Sequence, residues 1–82
     1  MSSIKLSVSV GNELQSIDVS TQEWQSIQAG EVLVKEVQGI YEGEVFTYTW
    51  HFNDPKFPDT SLVVMYGDGE GFIGSIDHVF TS

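Results

Sequence analysis

The sequence predicts an α+β protein, mainly an antiparallel sheet, with elements in the order β-β-α-β-β-β-β and one short helix packed on the aromatic face of the sheet. Three observations carry this. Phe46, Tyr48, Trp50 and Phe52 occupy alternate positions with Thr47, Thr49 and His51 between them, the period-two pattern of a strand with one aromatic face. Ile4, Leu6, Val8 and Val10 alternate with Lys5, Ser7 and Ser9, and the pattern resumes at Ile17 and Val19 after a Gly11-Asn12 break. Between these two β regions, Ser20-Thr21-Gln22-Glu23 spells a helix capping box.

The first two strands form a hairpin if Gly11-Asn12 is its two-residue turn. Leu6 then faces Ile17 and Ile4 faces Val19 on one side, while Lys5 faces Asp18 on the other. The helix is expected at about residues 21–29, with Val19 and Trp24 at staple positions and Gly30 as the left-handed stop. Trp24 and Ile27 are three apart and share its buried face.

A second hairpin, turning at Glu42-Gly43, places Leu33 opposite Phe52, Lys35 opposite Trp50, Val37 opposite Tyr48 and Gly39 opposite Phe46. Its reverse face carries Val32, Val34, Ile40 and Val45 among polar residues, so it is mixed in character. Asn53 to Asp59, with two prolines, reads as a loop. Ser61 to Tyr66 is a nearly continuous apolar run, typical of a strand covered on both faces. Gly67 to Gly71 is a flexible turn, and Phe72 to Phe80 is expected as the closing strand of an antiparallel meander.

An 82-residue chain has room for one core, so residues 1–82 are read as a single domain. The absence of cysteine leaves stability to that core, without disulfides or thiolate metal sites. The N-terminal Met-Ser-Ser-Ile-Lys has no apolar signal-like stretch, and no run is long enough to cross a bilayer, so a cytoplasmic protein is expected.

Twelve carboxylates face three lysines and no arginine, for a net charge of −9. Phosphate backbones and anionic membranes bind through Lys and Arg, so direct nucleic-acid and membrane binding are disfavoured and a basic or amphipathic protein partner is favoured. Residues 42–82 carry seven acids against one lysine.

In a meander the turns at Glu42-Gly43 and at 67–71 lie at one end of the sheet, which groups Glu42, Glu44, Asp68 and Glu70 as the candidate partner-binding residues. Phe57, a large ring between prolines, either tucks over the core or meets a partner, and joins them. The competing reading is that acidic turns only keep the chain soluble. Gly67-Asp68-Gly69-Glu70-Gly71 has neither the calcium-loop register nor the lysine of a phosphate loop, and no cofactor or metal site is expected.

His51 and His78 belong to the residue type whose unperturbed pKa lies near neutrality, and Asp77 adjoins His78, but strand neighbours point to opposite faces. No Gly-x-Ser-x-Gly elbow surrounds a serine. The sequence therefore points to a small acidic, non-enzymatic protein-interaction module, with an inhibitor or immunity-type protein as its concrete form. The alternative is a structural or oligomer-forming protein, in its simplest form a homodimer, that associates through a sheet face or edge strand.

Overall fold

The structure, a computed structural model, describes residues 3–82; Met1 and Ser2, from the N-terminal stretch read above, lie outside the described residues. The strands are β1 (Ser3–Val10), β2 (Glu13–Ser20), β3 (Leu33–Tyr41), β4 (Glu44–Phe52), β5 (Leu62–Tyr66), β6 (Gly69–Gly74) and β7 (Phe80–Thr81), with helix α1 (Thr21–Gln28) after β2. The predicted element order is thus observed through β6, with β7 in addition, and both hairpin registers are as the sequence implies. Leu6 pairs with Ile17 and Lys5 with Asp18. Lys35 pairs with Trp50 and Gly39 with Phe46.

The strands do not form one continuous meander. They divide into a three-stranded sheet, β2-β1-β7, and a four-stranded sheet, β3-β4-β5-β6. Leu6, Val8, Val10, Ile17 and Val19 of the first join Tyr48, Trp50, Phe52, Leu62 and Val64 of the second in one buried cluster. Each sheet has one apolar face, and each is removed from water by the other. The helix adds Ile27, fully buried, and Trp24, partly buried, to the same core.

The helix begins as its sequence requires. Ser20 Oγ accepts from the Glu23 backbone N–H at 3.0 Å, and Glu23 Oε1 accepts from the Ser20 N–H at 2.8 Å. Gly30 follows the helix with a φ of 95°, a conformation that costs a side-chain-bearing residue more.

Strands β2 and β3 lie at the edges of their respective sheets and are stitched by side chains in place of a backbone ladder. Gln15 Nε2 donates to the Ile40 carbonyl at 2.7 Å, Glu13 Oε2 accepts from the Glu42 N–H at 2.6 Å, and Lys35 Nζ reaches the Asp18 carbonyl at 3.4 Å. Gly39 permits this closeness: a Cβ there would meet Gln15 Oε1 and would lie 2.9 Å from Tyr48 Cε1.

The closing strand differs from expectation. Strand β6 already starts at Gly69, within the predicted turn, and ends at Gly74; a single 3-10 turn, Ile76–His78, then leads to β7, which pairs with β1 in the other sheet. Two contacts accompany the end of the strand. The Phe72 ring occupies the space a Cβ on Gly74 would need, and Ser61 Oγ captures the Ile76 N–H at 2.9 Å.

Candidate functional site

Three hairpin turns meet at one end of the sandwich. The β3–β4 and β5–β6 turns share that end because their strands alternate in direction through the second sheet. The β1–β2 tip joins them from the first sheet: the Tyr41 phenol lies against Gly11, where a Cβ would stand 2.6 Å from its oxygen. Glu13 and Glu42 are hydrogen-bonded across the two sheets.

Glu42 and Gly43 have φ values of 52° and 81°, the left-handed pair of a tight hairpin turn. Left-handed backbone is uncommon for Glu. Here the Glu13 carboxylate holds the Glu42 N–H in place, so the turn is fixed from the opposite sheet.

Behind the acids lie partly buried aromatic rings. Tyr66 is their centre, with ring centroids 5.3 Å from Tyr41, 5.4 Å from Phe46 and 5.6 Å from the buried Tyr48. Burial raises the phenol pKa of Tyr41 above its ordinary value, with the charges of Glu42, Tyr66 and Glu13 adding to the effect. Burial likewise raises that of Tyr48, followed by Glu13, Tyr66 and Tyr41.

The predicted acidic set is only partly brought together. Glu42, Glu44 and Asp68 stand at this end, on or beside the two turns. Glu70 is in β6, paired with Met65 on the outer face of the sheet. Val64 faces the core and Met65 therefore faces away, and an irregularity in the pairing, Val64 with Phe72 but Met65 with Glu70, puts Glu70 on that outer side. Glu13 was missed as a member, although its position beside the Gly11-Asn12 turn is a sequence signal. It reaches this end only because the first hairpin folds over the second sheet.

Phe57 is not at the acidic end. It sits in the 53–61 loop, partly buried, with its ring edge-on to His51 at a centroid distance of 5.3 Å. Val63, between His51 and Ile73 on the outer face of the sheet, is buried as well.

A second titratable pair was also missed. His51 Nδ1 and Asp54 Oδ2 are 3.0 Å apart, and Asp54 Oδ1 accepts from the Lys56 N–H at 2.9 Å. The Lys56 N–H and then His51 hold the Asp54 carboxyl below its usual range, against the opposing effect of burial. The signal was the His-x-x-Asp spacing at a strand end, where the φ of 54° at Asn53 turns the chain back.

An open groove of about 710 Å³ adjoins this loop, lined by Asp54, Phe57, Pro58, Ser61, Ser75 and His78 among others. Its serine hydroxyls are engaged as caps: Ser61 Oγ accepts from the Ile76 N–H, and Ser75 Oγ accepts from the Asp77 N–H at 3.1 Å. His78 Nδ1 accepts from the Ser75 N–H at 3.3 Å, within the 3-10 turn. Asp77 and His78 are therefore not strand neighbours on opposite faces, as the sequence reading had them, because the chain has left the sheet before reaching them.

The chain matches no protein-family model, no curated protein and no solved structure. Among the described residues, no group of three or more His, Asp or Glu side chains converges in a way that could hold a metal ion, and no helix is long and apolar enough to cross a membrane.

Proposed function

We propose that this protein is a small, non-enzymatic, cytoplasmic interaction module that binds a basic protein segment at the acidic end of its sandwich. The observation that supports this is the convergence of Glu13, Glu42, Glu44 and Asp68 around the partly exposed rings of Tyr41, Phe46 and Tyr66. With a net charge of −9, long-range attraction would raise the encounter rate with a basic partner. Inhibition or immunity towards such a partner is the concrete role.

The test replaces Glu13, Glu42 and Glu44 with Gln and Asp68 with Asn. Gln at position 13 keeps an oxygen for the Glu42 N–H. Expected are capture of basic proteins by the parent at low salt, decline of that capture as salt rises, and its loss in the variant. Equal capture and equal salt response in parent and variant would overturn the reading.

A specific observation favours association through the outer sheet face as the second reading. Val34, Ile40 and Val45 are 48%, 58% and 65% exposed there. Light scattering after gel filtration separates the two: a stable dimer supports the second reading, and a monomer supports the first.

A further inference from the structure

The rings at the acidic end are arranged in a way that sets the chemistry of what they take. Tyr66 contacts three other rings, tilted at 42° to Tyr41, edge-on at 81° to Phe46 and stacked at 28° on Tyr48. Tyr41, Phe46 and Tyr66 are each partly exposed, so this shelf is open on its outer side. An aromatic face carries negative charge density and attracts a cation placed over it. Carboxylates beside such a face add to that attraction and exclude anions.

A separate observation points into the same place. Tyr48 is fully buried, and its hydroxyl makes no hydrogen bond to a described residue. The ring that carries this hydroxyl stacks on Tyr66, with centroids 5.6 Å apart, and so backs the shelf. Its oxygen is free to accept a hydrogen bond. Glu13 uses Oε2 for the Glu42 N–H, which leaves its second oxygen for another donor.

We propose that the Tyr41–Phe46–Tyr66 shelf, backed by Tyr48 and flanked by Glu13, Glu42 and Glu44, is a subsite for an arginine side chain of a protein partner. A guanidinium fits these features better than an ammonium. It is planar and stacks on rings, it is weakly hydrated, and its five N–H donors can reach acceptors in several directions at once. An ammonium is a compact, strongly hydrated charge that gains less from the rings. The inference rests on the proposed binding of a basic segment and adds which cation is selected and which rings select it.

The experiment titrates the whole protein with three short peptides that differ in one residue type, arginine, lysine or the neutral isostere citrulline, and follows backbone amide and aromatic side-chain resonances by NMR. Expected are shifts of the Tyr41, Phe46, Tyr48 and Tyr66 ring signals with the arginine peptide, about five-fold weaker binding of the lysine peptide, and no binding of the citrulline peptide. Tyr41→Leu should weaken arginine binding about five-fold, the size of one exposed cation–π contact. Tyr48→Phe removes only the buried hydroxyl and keeps the core ring, so a weaker arginine response with an unchanged amide spectrum of the free protein supports its part in the site.

Equal affinity for arginine and lysine peptides, with ring signals unmoved and Tyr41→Leu binding normally, would overturn the arginine subsite while leaving the basic-partner reading standing. No response to either cationic peptide would overturn both.

Discussion

His51 and Asp54 are joined by a 3.0 Å hydrogen bond that ties the end of β4 to the loop folding back over the sheet. The same carboxylate accepts the Lys56 N–H, so one acidic side chain fixes both the entry and the turn of this loop. The Phe57 ring then rests edge-on against His51. The loop is thus anchored through a group that must stay ionised.

Stability should fall in acid through this anchor. The Lys56 N–H and His51 depress the carboxyl pKa of Asp54, and the Ser20 N–H, with Lys35, depresses that of Glu23. A depressed carboxyl contributes stability that is present above its unfolded value, near 4, and is lost as pH falls through the folded value. Denaturation midpoints measured from pH 7 to pH 2 should therefore drop below about pH 4, and Asp54→Asn should flatten part of that drop. An unchanged acid slope in the variant would mean that the Asp54 charge does not couple to folding.

The core depends on the aromatic face of β4. Trp50→Ala should cost roughly 3–5 kcal/mol, a large share of the stability of so small a domain. Thr49, on the opposite face, is only partly buried, and Thr49→Ala should cost much less. Chemical denaturation of both variants checks this, and similar losses would contradict the assignment of faces.

The helix is held at both ends by side chains. Ser20→Ala should cost about 1 kcal/mol through loss of the N-cap. At the other end Asn53 Nδ2 donates to the carbonyls of Ile27 and Glu31, each at 2.9 Å, from a backbone held at a φ of 54°. Asn53→Ala removes both bonds and puts a residue less tolerant of that φ in its place, so a loss of roughly 1–3 kcal/mol is expected. If Asn53→Ala unfolded at the parent midpoint, the Asn53 bridge would be without energetic weight.

Much of this protein was legible in the sequence because its signals are local. Alternation around Trp50 assigned the core face of β4, and the Gly11-Asn12 and Glu42-Gly43 turns set two registers, since a slip of one residue would turn every apolar side chain outward. The Ser20–Glu23 box likewise fixed the helix start within four residues of chain.

The division into two sheets was decided only by tertiary structure, because Leu6, Val8 and Ile17 present the same alternation whether they extend one sheet or cover another. Burying two apolar faces against each other removes both from water, and that gain is invisible in any one strand. The candidate site follows the same logic. Glu42, Glu44 and Asp68 could be placed at one end from strand direction alone, whereas Glu13 reaches the Tyr41–Tyr66 shelf there because the first hairpin folds across the second sheet. The break after Gly74 was likewise set at a distance, by the hydroxyl of Ser61, 15 residues away along the chain, taking the Ile76 N–H.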